Sequence, residues 1–442
     1  MAEGAKQAHS RIWLIAGPAM IANISAPLVG LVDTWAIGHM PDAMHLAAVG
    51  LGSVIFNYIA WAFGFLRMGT TGMVAQSHGA GDTDAVVAHL IRASISGIAF
   101  AICLLLFQAY LIELALSVMS PPDMVGKLSR SYFDIRIWAA PATLFIYALN
   151  GALIGLARAR DALILQLILN ISNGIFNITL VIGLGMGVDG VALGTVFAEW
   201  LAAIIGLVMI GRRLGWGRIM VGLSASATWQ MHQFKRLLNV NGFIFVRTLL
   251  LMTALAMIMQ KAGDLGDDAM AASHIMQQFM MLISLGLDGF AYAAEALTGA
   301  AWGRNDRTDF RRWVWLTTIW ALAASIAYVM LFWLAGGWIT AMLTNIEDVR
   351  RTVAIIMPMI IALPLVAVWS YQFDGIYIGA TATGAMMGTM TISFLVYILI
   401  LDPMVENWGL LGLWGAVLVF MATRGLTQAV WYLRLERNIS RE

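Results

Sequence analysis

Carboxylates interrupt the long apolar runs of this chain at Asp33, Glu113, Asp134, Glu199, Asp288, Glu295 and Asp374. An ionisable group in such a run is costly. Where it persists, it marks an ion path, a proton relay or a binding site by default. Asp33 follows IWLIAGPAMIANISAPLVGLV, a stretch from Ile12 to Val32 with no ionisable side chain. Its company sets it apart from the other acids. Asn170, Asn173 and Asn177, in LILNISNGIFNITL, fall at i, i+3 and i+7, one polar stripe on an apolar helix. Asn150 adds another amide and Thr195 a hydroxyl. Amide and hydroxyl oxygens with one carboxylate suit a hard cation such as Na⁺. They equally serve as hydrogen-bond partners for a carboxylate that takes up and releases a proton, since a low-dielectric surrounding favours the neutral acid. The plainer alternative is that these amides only join helices.

The remaining charged groups weigh differently. Glu113 near the end of its run, and Asp134 two residues from Arg136, can reach interfacial water or pair locally. Glu199 lies in the middle of TVFAEWLAA. Glu295 follows Asp288 by seven residues, two helical turns, so both share a side of one helix, and a hydrogen-bonded helix contact is the competing reading. Arg67 in FLRMGTTG and Arg247 in FVRTLLL each require an acid or a backbone carbonyl as partner. Pro18 and Pro27 lie in the run that leads to Asp33. Each removes a backbone hydrogen bond and can bend the helix, which would let protonation couple to shape. The one cysteine, Cys103, excludes an intramolecular disulfide and reads as a packing residue. CxxC, HExxH and P-loop patterns are absent, and no dinucleotide-binding fingerprint of strand, glycine-rich turn and helix is seen. We therefore expect no cofactor, no bound metal and no enzymatic chemistry.

These groups sit in a chain of 442 residues that is 60% hydrophobic and 12% charged, about half the charge of a soluble protein. Runs of about 20 apolar residues, enough to cross a bilayer core, recur from end to end. We expect twelve helical spans, near 12–38, 46–76, 88–118, 128–156, 161–185, 187–211, 234–260, 268–300, 312–343, 350–379, 383–403 and 408–433. Helices are required because an open sheet would leave backbone groups unpaired in lipid. The odd-numbered loops carry only Lys127, Arg130, Lys261, Arg350 and Arg351, while most Lys and Arg fall in the even-numbered loops and the two ends. That asymmetry places both termini in the cytoplasm, and the chain in a plasma or inner membrane. A net charge of +1 argues against nucleic acid as a partner. The polar connection 212–233 is the natural boundary between an N-lobe, 1–222, and a C-lobe, 223–442.

The second half restates the first. SHGAGD at 77–82 matches AWGRND at 301–306, and Asn150-Gly151 matches Asp374-Gly375, at an offset of 224. Pro141 matches Pro364 at 223, and Gly187-x-x-Gly190 matches Gly412-x-x-Gly415 at 225. Six spans per repeat give both halves the same orientation, the arrangement of a parallel-repeat transporter. The position that repeats Asp33 is Met257, so the C-lobe lacks an equivalent ion site. Asp374, at the repeat position of Asn150, and Asp288 keep that lobe in question. The 28 Met and 17 Trp are lipid-facing, core or interfacial residues, and some Met can line a tolerant pocket.

PLVGLVDTWAIGH, FLRMGTTGMVAQSHGAGD, GVALGTVFAEW and LDGFAYAAEALTGAAWG together resemble the multidrug and toxic compound extrusion (MATE) family, of the DNA-damage-inducible-F type, over essentially the whole chain. The resemblance implies two six-helix lobes in a V and cation-coupled export of amphipathic, often cationic, organic compounds. It puts the family's essential carboxylate at Asp33 and its bending proline at Pro18. The amides of the N-lobe cation site fall on Asn150 and Asn173, and its hydroxyl on Thr195. Where many members carry a second acid, this chain has Asn177. A site with a single negative charge would hold Na⁺ weakly, so coupling to H⁺ through Asp33 is the simpler expectation. The expected activity is drug/H⁺ antiport by a monomer, with Na⁺ coupling as the alternative. A lipid-linked-precursor flippase would need a large cationic cavity, and the spans hold few Lys or Arg. A passive channel or a membrane scaffold is the reading from another class, and the repeat argues against the scaffold.

Overall fold

The computed structural model describes residues 2–38 and 43–439, and the side chains of 2–5, 26–29, 31–37 and 43 lie outside the described residues. Among the described residues every regular element is a helix. In chain order these are α1 (Ala2–Gly38), α2 (Ala43–Ala62), α3 (Phe65–Gly79), α4 (Thr83–Met119), α5 (Asp123–Arg136), α6 (Ala140–Gly155) and α7 (Ala159–Asn177). They continue with α8 (Gly187–Leu214), α9 (Trp216–Ser224), α10 (Met231–Asp264), α11 (Asp267–Gly303), α12 (Arg307–Leu343), α13 (Glu347–Gly379) and α14 (Thr383–Asn438). Ten helical stretches among the described residues are long and apolar enough to cross a membrane. Met44–Gly79 and Asp123–Gly155 are each one such stretch, built from two helices that meet at Gly64 and at a 3-10 turn, Ile137–Ala139. In α14, Gly409 leaves helical geometry at φ +54. The rings of Tyr397 and Phe420 lie 5.4 Å apart across it, where a straight helix would separate them by about 35 Å. The chain therefore doubles back at Gly409, and α14 supplies two spans. With α1, the whole is the twelve-helix membrane fold expected.

The repeat is visible at the turns. After α3, Gly81 takes φ +77 and Asp82 caps α4, its Oδ1 accepting from the Ala85 N–H at 2.8 Å. After α11, Asn305 takes φ +57 and Asp306 caps α12, its Oδ1 accepting from the Asp309 N–H at 2.9 Å. The turns after α6 and α13 match too, with Ala157 at φ +57 and Thr381 at φ +51. Helix crossings repeat as well. A Cβ on Gly151 would lie 2.5 Å from the Arg67 carbonyl oxygen, and one on Gly375 2.5 Å from that of Ala291. Gly155 and Gly379 approach the carbonyls of Thr71 and Glu295 as closely, at 2.7 Å. A small residue every fourth position lets two helix backbones meet, which is how helices associate where lipid removes the hydrophobic drive.

Contacts gather the chain into two compact units, Met1–Met20 with Asn239–Glu442, and Ile21–Leu238. The second is cored by Val87, Leu90 and Ile91 of α4 against Leu149 and Leu153 of α6 and Ile210 of α8. In the first, Phe279 and Phe290 of α11, Phe332 of α12 and Trp414 of α14 are wholly buried. The start of α1 joins this unit: Ile12, Ile15 and Ala16 are buried. There Trp13 meets Phe290 and Trp320 edge-on. Outward surfaces invert the soluble pattern, with Leu106, Val118, Trp333 and Leu399 each about three-quarters exposed. Cys103, expected as a packing residue, is exposed on this surface of α4. Its neighbours Ile102, Leu106 and Phe107 are exposed too, so the apolar run there reflects lipid contact rather than core.

Candidate coupling site

The asparagine stripe of α7 is a working set of hydrogen bonds within the unit Ile21–Leu238. Asn173 and Asn177 are buried, at 1% and 0% exposure. Asn177 Nδ2 donates to Asn173 Oδ1 at 3.3 Å, and Asn173 Nδ2 donates to Thr195 Oγ1 of α8 at 3.0 Å. The Thr195 hydroxyl in turn donates to the Val191 carbonyl at 2.9 Å. Each bond made at this depth offsets the cost of leaving a buried amide group orphaned, which exceeds what the bond itself gains. Gly194 leaves the space: a Cβ there would lie 3.1 Å from the Asn177 backbone nitrogen and closer to its amide. Past Asn177, α7 continues as a π-helical segment, Ile178–Gly183, a geometry frequent at functional sites. Further back on the stripe, Asn170 Nδ2 donates to the backbone oxygen and the hydroxyl of Ser25 in α1, both at 2.9 Å.

Of the other expected members, Asn150 lies in α6 with its Oδ1 buried and unbonded, and among the described residues no hydrogen bond joins it to Asn173, Asn177 or Thr195. Asp33 belongs to helical α1, and its side chain lies outside the described residues. Pro18 is half-buried in α1. Arg67 is half-buried in α3, and its carbonyl accepts from the Thr71 hydroxyl at 2.9 Å. On α11, Glu295 is buried at 2% exposure and Asp288 is half-buried.

Two of the buried acids are neutralised by arginines. Glu199 of α8 pairs with Arg136 of α5 and accepts from the Thr143 hydroxyl of α6. The Arg136 guanidinium also stacks on Phe56, 3.8 Å from the ring centroid. In the other unit, Asp374 of α13 takes three donors: Arg247 of α10, Arg424 of α14 at 2.7 Å, and the Gln428 amide at 2.7 Å. Buried charges persist only when paired and hydrogen-bonded in this way. Reading the sequence located Arg247 and Asp374 but did not join them, and it missed Arg136, Arg424 and Gln428 as members. One signal was present. The 225 offset that aligns Gly187 with Gly412 also aligns Glu199 with Arg424, so a charge recurs at that position with opposite sign. The exposed Glu113 pairs with the half-buried Arg130.

A two-repeat, helical membrane protein with polar clusters buried inside each unit has the organisation of membrane transporters built from parallel repeats. Comparison with known proteins narrows the class. The MatE family model matches residues 18–179 and 244–404. DNA damage-inducible protein F of Escherichia coli is 33% identical over 434 residues, 97% of this chain and 92% of the relative. A probable multidrug resistance protein NorM of Pseudomonas syringae is 25% identical, covering 86% of this chain and 83% of its own. Among solved structures, MATE in the straight conformation superposes with a TM-score of 0.87 at 16% identity, over 98% of this chain and 97% of that one. MATE in the bent conformation gives 0.85 at 19%, over the same shares. The chain therefore belongs to the MATE family of transporters.

Proposed function

We propose that this transporter exports amphipathic, often cationic, drug-like compounds in exchange for H⁺, with Asp33 as the coupling carboxylate. The observation that carries the reading is the charge state around the α7 stripe. Asn173, Asn177 and Thr195 form a neutral set of hydrogen bonds that carries no charge of its own. Glu199, the other acid of this unit in mid-span, is already neutralised by Arg136. A titrating role thus falls to Asp33. Register supports this. Asn170 is bonded to Ser25, and seven residues along either helix cover about 10 Å, which brings Asn177 level with the α1 backbone near Asp33. Protonation of Asp33 would change which donors the amides direct to α1. That exchange would shift α1 against α7 and α8 and release the drug. Pro18 removes a backbone bond of α1 and makes the helix able to respond. The membrane is a plasma or inner membrane with both termini in the cytoplasm, and the unit of function is a monomer.

The test is drug efflux from proteoliposomes under separate H⁺ and Na⁺ gradients, wild type against Asp33→Asn. The expected result is efflux driven by the H⁺ gradient in the wild type and lost in the variant. Undiminished efflux by Asp33→Asn would sink the proposal. The second reading, Na⁺ coupling, is favoured by the oxygen donors of Asn173, Asn177 and Thr195 lying within one network. It predicts efflux under a Na⁺ gradient alone.

A further inference from the structure

The connection between α8 and α10 has a charge pattern and a surface that the transport reading does not use. No acidic residue occurs between Glu199 and Asp264, while Arg212, Arg213, Arg218, Lys235 and Arg236 fall in that interval. All five are exposed, and Arg213 is bonded to Asp161 of α7. Within this basic segment, α9 is amphipathic in an inverted sense. Ile219 is its buried residue. Gly222 lies flat on α4, where a Cβ would meet Val87 at 2.7 Å. The opposite face carries Met220 and Val221, exposed at 60% and 68%. Trp216 and Trp229 flank it, about half exposed. The segment is also held in place. Arg92 of α4 donates from Nε to the Thr228 carbonyl and from Nη2 to the Ala227 carbonyl, both at 2.9 Å. The Trp229 indole N–H donates to the Leu223 carbonyl at 2.8 Å, closing the end of α9.

An apolar outward face with tryptophans at its ends, in a segment whose exposed charges are all cationic, fits the boundary between headgroups and acyl chains. The exposed apolar surface of α8, including Ile204, Leu207 and Val208, leads directly to it, so the face is continuous with the lipid-covered side of a span. We propose that α9 with Arg212, Arg218, Lys235 and Arg236 is a preformed docking surface for acidic phospholipid headgroups. Met220 and Val221 enter the acyl boundary, and the cations hold the phosphates. Because α9 is pinned to α4, bound lipid fixes the connection between the two repeats to the membrane surface.

The experiment uses the full chain with Cys103→Ser and Val221→Cys, carrying a nitroxide. In vesicles of phosphatidylcholine with phosphatidylglycerol, the label is expected to be reached by oxygen and shielded from a water-soluble nickel chelate. Access by the chelate overturns the proposal. A titration of phosphatidylglycerol into the labelled protein in uncharged micelles gives the charge arm. Saturable immobilisation is expected, with Arg212→Gln and Arg218→Gln each weakening it about fivefold. An equal response to phosphatidylcholine, or no effect of either variant, overturns the lipid assignment. Thermal unfolding is followed for both variants, which change only exposed side chains.

Discussion

Arg424 of α14 donates to Asp374 of α13 at 2.7 Å, at the place where the first repeat has Asn150. The two repeats differ in charge at this position. Asn150 is neutral with a buried, unbonded oxygen. Asp374 is a charged pin through which Arg247, Arg424 and Gln428 tie α10 and α14 to α13. The pin reads as structural, because both arginines reach the same carboxylate oxygen and a proton there would strand two buried cations.

Asp374→Asn should therefore be strongly destabilising. Removing the carboxylate leaves two buried guanidiniums without a counter-charge, at a cost of about 3–5 kcal/mol. Replacing the whole cluster by apolar residues, Asp374→Leu with Arg247→Met and Arg424→Met, should recover most of the loss. Thermal unfolding of the purified variants in detergent checks both. A single variant as stable as the wild type would show that the pair contributes little.

The glycine crossings make a matched prediction in the two repeats. Gly151→Ala and Gly375→Ala each push a methyl group into a carbonyl oxygen 2.5 Å away. Neither contact can relax without moving a helix, so each should cost about 1–3 kcal/mol. Gly388, in α14, has nothing within 4 Å of its missing Cβ, and Gly388→Ala should cause no loss. Unfolding midpoints of the three variants test this, with the two crossings expected to behave alike.

Glu199 allows a separation of stability from coupling. Glu199→Gln removes the charge that balances Arg136, so stability should fall by about 3 kcal/mol or more. The ion dependence of efflux should not change, because the pair holds α5 against α8 rather than joining the α7 network. The ratio of H⁺-driven to Na⁺-driven efflux in proteoliposomes is the measurement. A changed ratio would move Glu199 into the coupling machinery.

Much of this fold was legible because its signals are local or periodic. Span lengths follow from hydropathy, and the repeat follows from Gly, Asp and Asn residues that turns and crossings demand, as at Asp82 and Asp306 or Gly151 and Gly375. The α7 stripe was legible for the same reason, since i, i+3 and i+7 fix one face. Cross-helix partners were not. Arg247 and Asp374 are 127 positions apart, and no spacing rule links them. Cys103 misled because an apolar run has the same composition whether it faces core or lipid.

The remaining prediction concerns the coupling ion. Asn177 donates to Asn173 and sits against Gly194 of α8, so the pocket around it has room for an isosteric side chain and no more. Asn177→Asp keeps the shape and adds a charge. The new carboxylate can no longer donate to Asn173, but with Asp33 it would give the network two negative charges and several neutral oxygens, a set suited to a hard monovalent cation. The variant should therefore gain Na⁺-stimulated efflux while its H⁺-driven efflux falls. Efflux at fixed pH with and without an imposed Na⁺ gradient reads this out. If Asn177→Asp retains wild-type H⁺ coupling and ignores Na⁺, the α7 network lies outside the coupling path, and its amides serve only to join α7 to α8.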